Sequence, residues 1–124
     1  MDAKQVVLSY WHAMESNDFS AASLWLSEDF ECHWPQSDEL IRGRKNFVAL
    51  NSAYPTEGRW RFTINSIVAE GERVVTDVSV TDGSRMDRAI TFHTVSENLI
   101  SKQTEYWPEN YPAPAWREQW VEKA

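Results

Sequence analysis

From Arg59 to Trp107 the sequence reads as strand throughout, broken only at Glu70-Gly71-Glu72, Asp82-Gly83 and Ser96-Glu97-Asn98. Those breaks have the composition of tight turns, and Asp-Gly between alternating runs is a strong hairpin signal. The spacing predicts four consecutive antiparallel strands, Arg59–Ala69, Arg73–Thr81, Arg85–Val95 and Leu99–Trp107. Trp60, Phe62 and Ile64 share one face of the first, and Val74, Thr76, Val78 and Val80 share the inward face of the second. A meander of this kind has one apolar face that other elements must cover.

The covering elements precede it. Asp2 is placed to cap a helix on which Ala3, Val6, Val7, Tyr10, Trp11 and Met14 recur three and four residues apart. Ser16-Asn17-Asp18 interrupts that stripe. A second helix follows with Phe19, Ala22, Trp25 and Leu26 on one face, ended by Ser27-Glu28-Asp29. Phe30–Trp34 reads as a short strand stopped by Pro35, which lacks a backbone donor. Gln36–Arg42 reads as a loop. Gly43 opens a third helix through Tyr54, with Phe47, Leu50, Asn51 and Tyr54 on one side. Residues 108–124 are a proline-containing tail in which Trp116 and Trp120, one helical turn apart, suit a short helix docking back. Helices first and sheet second predict an α+β fold, with three helices packed on a strongly curved antiparallel sheet. Such a sheet leaves a cavity at its open end, where ligands bind.

Length predicts one domain over residues 1–124, large enough to bury a core without staples. A net charge of −7 argues against nucleic acid and anionic lipid as partners. No run approaches the ~18 apolar residues of a membrane span. Cys32 is the only cysteine, so no intrachain disulfide can form; a buried thiol and a cytoplasmic location are expected. The three histidines, His12, His33 and His93, share no ligand-like spacing, so no metal is expected. No phosphate loop or nucleophile motif occurs, and no cofactor is implied.

The last strand carries the most chemistry. Ile100, Lys102, Thr104 and Tyr106 alternate with Ser101, Gln103, Glu105 and Trp107. If the second set lines a pocket, Glu105 is a carboxyl among apolar walls, and desolvation raises its pKa into a range useful for proton transfer. If not, Glu105 pairs with a cation such as Arg88.

Tyr10 and Asp18, the Phe30–Pro35 stretch, Arg42-Gly43-Arg44 and Glu105-Tyr106-Trp107, taken with the element order, resemble the NTF2-like superfamily and its SnoaL-like branch. The resemblance implies a cone-shaped fold, sheet-face homodimers, and a pocket that in some members catalyses isomerisation, cyclisation, dehydration or epoxide hydrolysis. Tyr10 stands where ketosteroid isomerases of this fold bind a developing oxyanion. Their catalytic Asp before a proline is replaced here by Trp34, and Thr91 stands near their second acid. Limonene epoxide hydrolases place an Asp at the position of Glu105 and a polar pair at Glu31 and His33, but Val78 and Val80 replace their Arg and Asp. The two comparisons differ on which face of Phe30–Trp34 points inward, and Glu31/His33 is the preferred choice.

The expected site therefore comprises Glu105, His33 and Tyr10 as proton-transfer and oxyanion groups. Gln103, Trp34, Trp60, Trp107, Asn51 and Tyr54 would contact a small hydrophobic molecule. The alternatives are a non-catalytic hydrophobic-ligand domain and a dimeric interaction module.

Overall fold

The structure, a computed structural model, describes residues 1–124. Helix α1 spans Ala3–Glu15, and the Asp2 carboxylate accepts from the Gln5 N–H while the Gln5 side chain bonds back to Asp2. This reciprocal cap satisfies two otherwise orphaned donors. Helix α2 is a single turn, Phe19–Ser23, capped by Asp18. It ends earlier than its apolar spacing suggests, because Leu26 already belongs to strand β1, Leu26–Trp34. Strand β2 is Glu39–Arg42, so the expected loop is the return arm of a hairpin. Helix α3, Gly43–Ala53, follows at once, with Gly43 at a φ of +82° that other residues rarely adopt.

Strands β3 (Arg61–Glu70), β4 (Arg73–Thr81), β5 (Met86–Ser96) and β6 (Leu99–Tyr106) form the meander. The sheet has six strands, one more than the expected short strand and four-strand meander, in the order β2-β1-β6-β5-β4-β3. All neighbours are antiparallel except β1 and β6, which run parallel. Pairing of this type joins elements distant in sequence, which alternation cannot reveal.

One irregularity bears on the site. Lys102 pairs with Thr94 but Ile100 pairs with Val95, so Ser101 is an extra residue in β6. A bulge of one residue reverses the facing of everything beyond it. Ile100, expected on the opposite face from Gln103 and Glu105, is therefore buried on the same side.

The core lies between the inner face of the sheet and the helices. Val6, Val7, Tyr10, Trp11 and Met14 of α1 meet Val74, Val78 and Ala89 of the sheet and Leu26 and Phe30 of β1. Each fully buried side chain of this size contributes roughly 1.5–3 kcal/mol. The tail ends in a 3-10 helix, Ala115–Trp120, that does not dock: Trp116 and Trp120 are 72% and 71% exposed. No helix is long and apolar enough to cross a membrane.

Candidate functional site

A cavity of about 400 Å³ lies between α1, α3, the β1–β2 turn and the sheet. Two backbone anchors shape it. Asn17, at a φ of +63° after α1, donates to the Trp60 carbonyl at 2.8 Å and accepts from its N–H at 2.9 Å. That pair pins the start of the meander under the α1–α2 elbow and holds Trp60 against the cavity, where it packs on Tyr54 at 5.9 Å. At the other end, the Trp107 N–H donates to Gln36 Oε1 at 2.5 Å, tying the end of β6 to the β1–β2 turn.

Glu105 sits in the cavity wall, 7% exposed. Thr91 Oγ1 donates to its Oε2 at 2.6 Å and Trp34 Nε1 to its Oε1 at 3.0 Å. Burial pushes its carboxyl above the ordinary range, and the Thr91, Trp34 and Trp107 donors oppose that shift. Trp34 and Trp107 stand edge to face, 6.4 Å between centroids at 88°. Tyr10 borders the same space. Burial, followed by the nearby Glu105 charge, holds its phenol well above its usual value, so it stays a neutral hydrogen-bond donor.

Behind Tyr10 runs a buried polar chain. Trp11 Nε1 donates to Thr76 Oγ1 (3.2 Å), and Thr76 Oγ1 meets His93 Nε2 at 2.8 Å. His93 Nδ1 meets Gln103 Oε1 at 2.8 Å, and Gln103 Nε2 faces the Cys32 sulfur at 3.9 Å. Burial pushes the His93 pKa down to about 4 and raises the Cys32 thiol, so the first is neutral and the second protonated at neutral pH.

Tyr10, Trp34, Asn51, Tyr54, Trp60, Gln103, Glu105 and Trp107 all border the cavity. His33 does not. Cys32 and Trp34 are the inward pair of β1, while Glu31 pairs with Arg42 at 3.2 Å and His33 with Asp38 at 3.3 Å on the other face. The preference for Glu31/His33 is overturned because Phe30 and Cys32 supply the apolar side of β1, and strand alternation carries Trp34 inward with them. Arg88 engages Asp77 on the outer face and not Glu105.

Two residues around the site escaped the sequence reading: Thr91 as a donor to Glu105, and His93. Counting inward positions back from the Asp82-Gly83 turn places Thr91 opposite Thr76 and His93 opposite Val74, so alternation held the signal. No three His, Cys, Asp or Glu side chains converge as metal ligands.

Helices closing one end of an open, curved sheet over such a cavity define the NTF2-like fold. Within it the chain belongs to the SnoaL-like family, whose domain profile matches residues 7–103. A candidate ketosteroid isomerase from Kribbella flavida DSM 17836 is similar in structure, with 29% identity, 98% of this chain and 89% of that one covered, and a TM-score of 0.90. An NTF2-like protein of unknown function from Burkholderia xenovorans LB400 is also 29% identical, with coverage of 98% and 94% and a TM-score of 0.81. An LEH-like epoxide hydrolase from M. tuberculosis shares the fold at 21% identity, with coverage of 86% and 82% and a TM-score of 0.67. No curated protein matches the chain.

Proposed function

We propose that this protein binds a small hydrophobic molecule in the cavity and catalyses proton transfer on it, with Glu105 as the acid–base group. The observation that carries this reading is the Glu105 carboxyl, buried at an aromatic-walled cavity with its pKa raised by desolvation. A carboxyl tuned upward exchanges protons with carbon or oxygen acids more effectively near neutral pH than an exposed one. Tyr10 supplies a neutral donor for an oxygen that gains charge during the reaction. Similarity to a candidate ketosteroid isomerase supports isomerisation or a related enolisation as the reaction class.

The test is a turnover screen on enolisable ketones and small epoxides with wild type and Glu105→Gln. Proton transfer through Glu105 predicts a loss of 10²-fold or more in kcat with ligand affinity retained. Turnover equal in the two proteins overturns the assignment. A non-catalytic binding role is the second reading, favoured by one observation: both Glu105 oxygens already accept hydrogen bonds from Trp34 and Thr91.

We also propose a homodimer through the outer sheet face, where Phe92 and Tyr106 meet edge to face at 6.2 Å while remaining 42% and 39% exposed. Light scattering on wild type and Phe92→Glu tests it; a monomeric wild type refutes it. A cytoplasmic location is in keeping with a lone, buried thiol.

A further inference from the structure

His93 touches neither the cavity nor Glu105, and no step of the proposed reaction uses it. Its place in the polar chain nevertheless decides what the cavity offers a ligand. The chain begins at an indole N–H, which can only donate. Trp11 donates to Thr76 Oγ1, and the one hydroxyl proton of Thr76 then has His93 Nε2 as its acceptor. An Nε2 that accepts carries no proton, so the neutral ring bears its proton on Nδ1. Nδ1–H donates to Gln103, which turns the amide oxygen toward His93 and the amide N–H2 toward Cys32 and Tyr10.

The opposite ordering is worse. With the proton on Nε2, Thr76 Oγ1 would receive two donors and its own proton would have no acceptor, in a side chain with no exposed surface. An unsatisfied buried donor carries the full desolvation penalty, whereas the first ordering leaves none.

We propose that His93 is a positioning residue: through Thr76 and Trp11 it locks Gln103 with its N–H2 group inward, so that the floor formed by Gln103 and Tyr10 selects ligands carrying a hydrogen-bond-accepting oxygen, such as a ketone, over isosteres lacking it. This deepens the proposed function and rests on that reading's assignment of the cavity as the ligand site. It does not require turnover. The ligand class follows from donor polarity: with the Gln103 N–H2 turned toward Cys32 and Tyr10, the Tyr10 O–H is left as the donor for a ligand in the cavity that Tyr10, Gln103 and Glu105 all border.

Two measurements test it. In 15N-labelled protein at pH 7, the imidazole nitrogen shifts of His93 report the tautomer directly. Protonation at Nδ1 alone is expected, and protonation at Nε2 overturns the proposal. The second measurement compares binding of 2-acetylnaphthalene with 2-isopropenylnaphthalene, in which a CH2 replaces the carbonyl oxygen. The ketone is expected to bind roughly tenfold more tightly, the scale of one net hydrogen bond. Equal affinities, or no binding of either probe, overturn it.

Thr76→Val separates positioning from mere packing. With neither proton order favoured, the ketone's advantage should shrink toward unity while alkene affinity holds; a purely structural role would weaken both probes together. If that variant does not fold, the wild-type imidazole spectrum still decides. A ketone preference without turnover in the substrate screen refutes the catalytic reading and leaves this one standing. Turnover lost in Glu105→Gln without ketone preference does the reverse.

Discussion

The indole N–H of Trp34, the last residue of β1, donates at 3.0 Å to Oε1 of Glu105, in the strand paired with it. The residue standing where the resemblance to ketosteroid isomerases implies an acid is thus bonded to the carboxyl proposed as the acid–base group. Its donor favours the charged carboxylate. Trp34→Phe keeps a ring against Trp107 but removes that donor. The Glu105 titration should move further upward, and stability at neutral pH should fall by about 1.5–3 kcal/mol, the range for hydrogen bonds to charged groups. Carboxyl 13C titration and urea unfolding measure the two effects. An unmoved Glu105 midpoint would show that the bond does not tune the carboxyl.

Glu105 also makes a signed prediction for stability against pH. Its folded pKa lies above the ordinary 4.5, so between the two values the folded protein holds a proton that the unfolded chain has lost. Stability therefore falls as pH rises through that window, and the penalty is constant above it. Glu105→Gln removes the penalty. Its amide oxygen accepts from Trp34, and its N–H2 donates to a rotated Thr91 hydroxyl. Thermal melts should show the variant more stable than wild type at pH 7.5 and equal to it at pH 4. A variant less stable at pH 7.5 would mean that the charged form is favoured in the fold.

The order of helices and meander strands was legible because it rests on periodicity, which is local; the cavity face of β6 was left open by alternation and was implied only by the family resemblance, and β2 was expected as loop. What was not legible depends on register between distant segments. The facing of Ile100 turned on one extra residue at Ser101, and a bulge leaves no mark in alternation until the partner strand is known. The parallel pairing of β1 with β6 brought Trp34 to Glu105 across 71 residues, a contact no local pattern encodes. His33 was misplaced for a related reason. A five-residue strand with mixed polarity on both sides supports either facing, and the apolar side was settled only when the strand extended back to a buried Leu26, in line with Phe30 and Cys32.

His93 acts in the opposite sense to Glu105. Its folded pKa is about 4 against an ordinary 6.5, so between those values the unfolded chain binds the extra proton and stability falls as pH drops. The full effect is on the order of 3 kcal/mol. In wild type the Glu105 slope masks part of it. In the Glu105→Gln background, urea unfolding at pH 4.5, 5.5, 6.5 and 7.5 should therefore show a steeper loss below pH 6.5 than wild type shows. A flat profile there would mean that His93 becomes charged within the fold.

His33→Ala checks the facing of β1. Its ring is 44% exposed and pairs only with Asp38, itself 94% exposed. Exposed pairs of this kind contribute about 0–1 kcal/mol. The variant should retain ligand affinity, any turnover, and stability to within about 0.5 kcal/mol. A tenfold loss of affinity would place the imidazole in the cavity and reverse the assignment of Cys32 and Trp34 as the inward pair.

Asp82 fastens the cavity's rim from outside. Its carboxylate accepts the N–H groups of Ser84 and Arg85 in the β4–β5 turn and that of Glu57 in the α3–β3 connection. Gly58 allows the close approach, since a Cβ there would meet the Asp82 carbonyl at 2.9 Å. These backbone donors pull the Asp82 pKa from 3.8 down to about 2. A lowered folded pKa stabilises the fold above pH 3.8, and that contribution is lost as pH falls toward 2. Asp82→Asn retains one acceptor oxygen and no charge. It should lower Tm at pH 7 and flatten the acid limb of the stability profile between pH 4 and 2. Tyr54 and Arg85, on either side of the fastening, border the cavity. Hydrogen exchange should therefore quicken at residues 54–58 and 82–86 and leave β6 unchanged. Exchange altered across β6 as well would mean that this corner and the candidate site open as one cooperative unit.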